Sequence, residues 1–184
     1  MRTNTVMKKR VLCLLANGFE EIETVTPVDL LRRADVEVVM ASLGHGSVTG
    51  RSGIRIEPDA TLDSINTADF DVLFIPGGPG VELLRGDGRP AKLAAEFAHD
   101  GKTIAAICAA PLVLKDAGLL AGRLFTAHFS VRGDLPGMLS ERVVIDGNLI
   151  TSRGAGTAVD FGLALVRHLV GKGVEEQLAE AIMA

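Results

Sequence analysis

Cys108 stands where two patterns meet. Before it, Thr103–Ile107 is a short apolar run ending on a β-branched residue. After it come Ala109, Ala110 and Pro111, and Leu112–Ala117 has the composition of a helix. A side chain at such a strand-to-helix turn is lifted out of the sheet, where helix-terminal amides stabilise a thiolate and lower its pKa. That placement suits a nucleophile; the competing reading is a small residue buried in a tight turn. Cys13 lies inside the apolar run "RVLCLLA" and reads as an inert buried thiol.

Two further side chains have proton-transfer chemistry. Glu23 lies early on a predicted helix, three positions after Glu20. Glu20 and Glu21 read as solvated partners of that helix's dipole. By pattern alone Glu23 reads the same way. A carboxyl turned into an apolar rim would instead stay protonated and serve as acid, base or hydrogen-bond donor to sulfur. His128 follows "LFTA" twenty residues beyond the cysteine, and both a proton shuttle and a structural histidine fit it. His45, His99 and His168 read as surface residues.

In open parallel sheets ligands bind beyond the carboxyl ends of the strands. Four unusual loops follow predicted strands here: "NGFEEIE", "PGGPG", "CAAP" and "SRGAGT". Any one of them suits a tight turn; four on one rim favour a site. "PGGPGVEL" and "GAGTAV" lack the third glycine of G-x-G-x-x-G, and neither contains G-K-[ST], which argues against nucleotide binding. A small anion at a helix N-terminus is still compatible with these loops.

The elements that would carry this rim alternate. Strands are expected at Arg10–Ala16, Glu37–Ser42, Asp71–Ile75 and Thr103–Ile107, and a short one at Leu124–Ala127. "DGN" within Val143–Ser152 signals a hairpin, and the Gly-rich stretch between Gly44 and Leu62 a smaller one. Helices are expected at Glu20–Ala34, bent or divided at Pro27, and at Arg89–Asp100, Pro111–Ala117 and Val174–Met183. Another runs from Thr157 to Val170, with Thr157 as its cap and Asp160 in the capping-box position. The alternation predicts an α/β sandwich with a mostly parallel sheet. A flexible tail over residues 1–8 and one domain over 9–184 complete the organisation.

Composition agrees. The 184 residues are 47% hydrophobic but only 4% aromatic, with no Trp and no Tyr, so Val, Ile, Leu and Ala must build the core. That diet, with 21 glycines, is typical of a parallel sheet covered by helices. The net charge of −4, without Lys and Arg clusters interleaved with aromatics, argues against nucleic acid as a specific partner. The basic start "MRTNTVMKKR" precedes an apolar run too short for a signal peptide, and no run reaches membrane-spanning length. A cytoplasmic protein is expected. Two cysteines and four histidines show neither a disulfide framework nor metal-ligand spacing.

Taken together, "NGFEEIETVTPVDLLRRA", "DVLFIPGG", "IAAICAAP" and "TSRGAGTAVDFGLALV" resemble the ThiJ/PfpI superfamily, closest to its deglycase branch. The resemblance spans the chain beyond its first residues. It implies a flavodoxin-like three-layer sandwich with helices on both faces, a homodimer, and a cysteine at a nucleophile elbow. By motif, Cys108 is the oxidisable nucleophile and Glu23 the carboxyl bonded to its sulfur. Gly77, Gly78 and Ala109 would supply amides beside that sulfur, and His128 matches the family's nearby histidine. Arg51 and Arg153 are candidate anion contacts, although relatives read Ser-Arg where this chain has Arg51-Ser52. The implied activities are glyoxalase III, deglycation of adducts and redox-linked chaperoning, none needing a metal or organic cofactor. The protease-like branch has His after the cysteine, where this chain has Ala109, so peptidase activity is not expected. Ala155 and Phe129 each replace a usual proline and bear on pocket shape. A non-enzymatic redox sensor using the same residues is the rival reading, and a binding fold with an unused elbow is a third.

Overall fold

The computed structural model describes residues 8–184, so most of the expected tail lies outside the described residues. The chain runs β1 (Arg10–Leu15), α1 (Glu21–Arg33), β2 (Glu37–Ser42), β3 (Val48–Thr49), β4 (Arg55–Ile56) and β5 (Ala60–Thr61). It continues with β6 (Val72–Ile75), α2 (Val81–Asp87), α3 (Arg89–His99), β7 (Thr103–Ile107) and α4 (Pro111–Asp116). β8 (Val143–Asp146), β9 (Leu149–Ser152), α5 (Ala158–Val170) and α6 (Lys172–Ala181) close it.

One seven-stranded sheet has the order β5-β2-β1-β6-β7-β9-β8. All neighbours are parallel except β8, which pairs antiparallel with β9 as the "DGN" hairpin. The order reverses direction between β1 and β6, the place where an open α/β sheet leaves a crevice.

Continuous apolar strands result because both sheet faces are covered. On one face Leu12, Leu14, Leu73, Ile75, Ile104 and Ala106 pack with Leu84, Leu93, Phe97 and Leu112 of α2, α3 and α4. On the other, Val11, Cys13, Leu15, Phe74 and Ile107 pack with Val28, Leu31, Phe161 and Leu165 of α1 and α5. This is a flavodoxin-like three-layer sandwich. Among the described residues no helix is long and apolar enough to cross a membrane.

Four local expectations give way to tertiary context. Pro27 neither ends nor divides α1. It is buried against α5 at Gly162, and that packing outweighs one lost backbone hydrogen bond. Leu124–Ala127 is no strand; only Thr126 forms a single bridge, to Leu139. Both edges of β9 are taken, by β7 and β8, and the Thr126 amide donates to the Thr151 hydroxyl instead, at 2.9 Å. Thr157 precedes α5 without capping it by its side chain, because its hydroxyl is engaged behind it. Asp160 pairs with Arg142 at the surface, at 2.6 Å. The sequence reading also lacks α2, whose apolar Val81 and Leu84 face inward just after the Gly-Pro-Gly turn.

Candidate active site

The rim is formed by the turns after β1, β6, β7 and β9, and each turn holds the next. The Gly18 carbonyl accepts from the Gly80 amide at 2.9 Å, and the Gly77 carbonyl accepts from the Glu20 amide at 3.0 Å. Gly78 has φ +92°, and a β-carbon there would lie 2.5 Å from the Gly18 carbonyl oxygen. A side chain at Gly77 would run into the Glu23 carboxyl and the Cys108 β-carbon. The two glycines let the β6 turn slide between β1 and β7.

Cys108 adopts the left-handed conformation at φ +66°, which costs a non-glycine residue about 1–2 kcal/mol. Its backbone is tied on both sides: its amide donates to the Ser152 carbonyl and its carbonyl accepts from the His128 amide, each at 2.9 Å. The elbow turns the side chain away from the core into a cavity of about 400 Å³. Glu20, Glu23, Arg51, Gly78, Ala109 and His128 share its lining with Val81, Leu112 and Val131. A cleft of about 450 Å³ beside α3 holds none of these residues.

Glu23 is 2% exposed. Its Oε2 accepts from the Gly77 amide at 3.1 Å, and its carboxyl also meets the Cys108 side chain and the Ala155 amide. Burial, aided by nearby Glu20, raises its pKa to about 7 against those hydrogen bonds. Gly77 therefore serves Glu23, while Gly78 and Ala109 lie on the cavity wall with Cys108. The lowered thiol pKa expected at the elbow is not found. Burial first, then the Glu23 carboxylate, pushes Cys108 up to about 12, and the Gly78 and Ala109 amides only partly offset this. A proton on Glu23 removes that opposing charge and gives the sulfur a third donor. Carboxyl and thiol thus compete for one proton.

Glu20 and Glu21 are buried, contrary to the solvated reading, at 8% and 6% exposure. Glu20 caps α1 by accepting from the Glu23 amide at 2.7 Å. Glu21 Oε1 accepts from the Ser52 amide at 2.7 Å and so ties the β3–β4 hairpin to α1. Burial opposes its ionisation, yet its own amide and those of Ser52 and Ile54 hold the carboxyl below its ordinary range. The hairpin carries Arg51 to the cavity wall. Arg153 instead donates to the Ser140 carbonyl at 3.1 Å and is not part of the cavity lining.

The His128 ring accepts from the Ser130 amide at Nδ1, which places the neutral ring's proton on Nε2. Burial, then the charges of Arg51 and Arg153, keep its pKa below the ordinary value. Phe129, 72% exposed, stacks on that ring at 4.2 Å. His45, His99 and His168 are exposed. Burial drives the Cys13 thiol far above its ordinary pKa, and it lies fully buried in β1.

Among the wall residues, sequence reasoning missed the cavity roles of Glu20, Leu112, Ser130 and Val131. The signal for Glu20 was its spacing of three from Glu23 at a helix start, where a carboxylate can reach the N3 amide.

The profile of the DJ-1/PfpI family matches residues 9–168. The chain belongs to the DJ-1/PfpI family. Within it, "Protein dj-1beta" of Drosophila melanogaster is 38% identical over 183 residues, covering 96% of this chain and 98% of that protein. "Deglycase PfpI" of Pyrococcus furiosus is 35% identical over 151 residues, covering 80% and 91%. The crystal structure of Drosophila melanogaster DJ-1beta superposes with a TM-score of 0.91 at 37% identity, covering 97% of this chain and 99% of that one. The structure titled "Toxoplasma gondii DJ-1, oxidized" gives 0.90 at 33%, covering 95% and 98%. Membership of the DJ-1/PfpI family and its fold are thereby established from sequence and from structure.

Proposed function

We propose that this DJ-1/PfpI protein is a cysteine-dependent enzyme of the glyoxalase III and deglycase type, acting on methylglyoxal, glyoxal or their adducts. Its role is protection under oxidative stress, in the cytoplasm and as a homodimer. The observation that carries the reading is the convergence of Cys108, Glu23 and His128 on one cavity whose wall includes Gly78 and Ala109. Relatives named as deglycases support it.

The chemistry needs no oxidant and no cofactor. Ionised Glu23, half populated near neutral pH, takes the thiol proton as sulfur attacks the aldehyde carbon. The Nε2–H of His128 supplies a proton to the carbonyl oxygen, giving a hemithioacetal. Glu23 passes the thiol proton on to His128, which resets both groups. As a carboxylate, Glu23 then moves a proton from the former aldehyde carbon to its neighbour while His128 carries the hydroxyl proton to the ketone oxygen, which turns the hemithioacetal into a thioester. Water cleaves the thioester, releasing the hydroxy acid and restoring the thiol. Methylglyoxal plus water becomes lactate, with atoms and electrons balanced. Arg51 would meet an anionic part of the substrate, and the cavity has room for more than a three-carbon aldehyde. Peptidase activity is not proposed, since Ala109 stands where that branch carries histidine.

A second reading has its own observation. A sulfur ringed by the Gly78 and Ala109 amides and by Glu23 is also built to hold oxygen atoms added by peroxide, as a redox sensor would. The deciding experiment is lactate formation from methylglyoxal by freshly reduced protein, with Cys108→Ser beside it. Turnover that disappears in the variant supports the enzyme. Absence of turnover, with stoichiometric conversion of Cys108 to sulfinate by peroxide, overturns it in favour of the sensor.

A further inference from the structure

Thr157 lines no part of the cavity and is buried at 6% exposure, yet its hydroxyl organises the turn behind it. The Gly154 amide donates to Thr157 Oγ1 at 3.2 Å. The Thr157 and Ser152 hydroxyl oxygens lie 2.6 Å apart, which requires a proton between them. Ser152 Oγ in turn donates to the Arg142 carbonyl at 2.8 Å. Thr157 Oγ1 also lies 2.8 Å from the Gly154 carbonyl, so the two hydroxyls link the Gly154 backbone to the Arg142 carbonyl just before β8. The Thr157 amide closes the turn on the Gly154 carbonyl at 2.8 Å.

The residues that carry this chain border the reacting pair. The Ser152 backbone carbonyl accepts from the Cys108 amide and so holds the elbow. Gly154 passes so near that a β-carbon on it would lie 3.3 Å from His128 Cδ2 and 3.5 Å from Glu23 Oε1. Ala155, the next residue of the turn, shares the cavity wall with Glu23. A helix cap would use the threonine hydroxyl forward, on α5; here it is used backward, on the site.

We propose that Thr157 is a positioning residue for the Glu23–Cys108 pair: its hydroxyl contacts fix the Gly154–Thr157 turn so that its backbone stays pressed against the Glu23 carboxyl. This rests on the reading that the two groups share a proton. The charged and titratable groups facing Glu23 are Glu20 from its own helix, Cys108 from the elbow and His128 beyond it. Arg51 of the hairpin and Glu82 of α2 share the cavity wall, and Arg153 lies near His128. None of these belongs to the hydroxyl chain, so replacing Thr157 alters the turn packed against Glu23 and no charge.

The test is the pH dependence of Cys108 alkylation by iodoacetamide, read by mass spectrometry, with 13C NMR of the Glu23 carboxyl over the same range. Thr157→Val keeps the shape and deletes the hydroxyl. It should move both midpoints upward by about half a pH unit or more, because the carboxylate loses the support of the turn's backbone dipoles. Thr157→Ser should restore them. Ser152→Ala, a smaller change that breaks the chain from its other end, should shift them in the same direction and covers the case in which the valine variant fails to fold. A merely structural threonine would lower Tm and leave the midpoints in place, and that result overturns the proposal. Glu23→Gln separates the premise: an alkylation midpoint equal to that of the unaltered protein would reject the shared proton itself.

Discussion

With Glu23 buried beside Cys108, the holder of their common proton decides whether the site contains a nucleophile. Cys108→Ser should reduce turnover by a hundredfold or more, on the order of what covalent catalysis contributes, with an unchanged circular dichroism spectrum. Residual turnover near the original rate would remove Cys108 from the mechanism. Glu23 also makes a signed prediction about stability. Its folded pKa of about 7 lies above the ordinary 4.5, so the buried carboxyl is favourable when protonated. That contribution is fully present below about pH 4.5 and is lost as pH rises through about 7. Urea denaturation across this window should show the unaltered protein losing up to about 3 kcal/mol relative to Glu23→Gln. A constant difference between the two would mean that Glu23 ionises as freely as a surface carboxylate.

The elements act by where they bring their ends. α1 delivers Glu23 because its first turn is locked to the β6 turn and its middle is pressed on α5. Gly162 makes that second contact: a β-carbon there would lie 2.6 Å from Leu30 Cδ1 and 3.2 Å from the Pro27 Cα. The leucine tip can rotate away, whereas the proline backbone cannot. Gly162→Ala should therefore destabilise by about 1–2 kcal/mol despite alanine's better helix propensity, measured as a lowered Tm. A raised Tm would show that α1 slides without penalty. Most of these elements were legible in the sequence. β2 and β7 match their expected bounds, and the β8–β9 hairpin follows from its Asp-Gly turn. Expectations failed where a partner distant in sequence decides: the packing under Pro27, the occupied edges of β9 beside Thr126, and the backward hydroxyl of Thr157. At the site, the elbow and its glycines were readable from local pattern. The burial of Glu20 and Glu21 was not, because a carboxylate run at a helix start reads as solvated until the amides of another turn are known to face it.

At the scale of the molecule, a sheet buried on both faces leaves very few places where a side chain can be removed cheaply. Phe74 of β6 and Phe161 of α5 are fully buried with ring centroids 5.6 Å apart, two of only seven phenylalanines in a chain without larger aromatics. Phe161→Ala should cost about 3–5 kcal/mol, a large share of a typical domain's stability, and lower the urea midpoint accordingly. A shift of a few tenths of a molar or less would mean that neighbouring leucines collapse into the space.

The two thiols divide this architecture between them. Cys108 opens onto the cavity, whereas Cys13 is at the centre of β1 with no exposed surface. A thiol reagent therefore meets two clocks in one chain: the first ticks in the native state, the second only when the central sheet comes apart. Counting singly and doubly labelled molecules over time reads the frequency of global opening directly. In a protein that has neither tryptophan nor tyrosine to fluoresce, that pair is its own built-in reporter of unfolding.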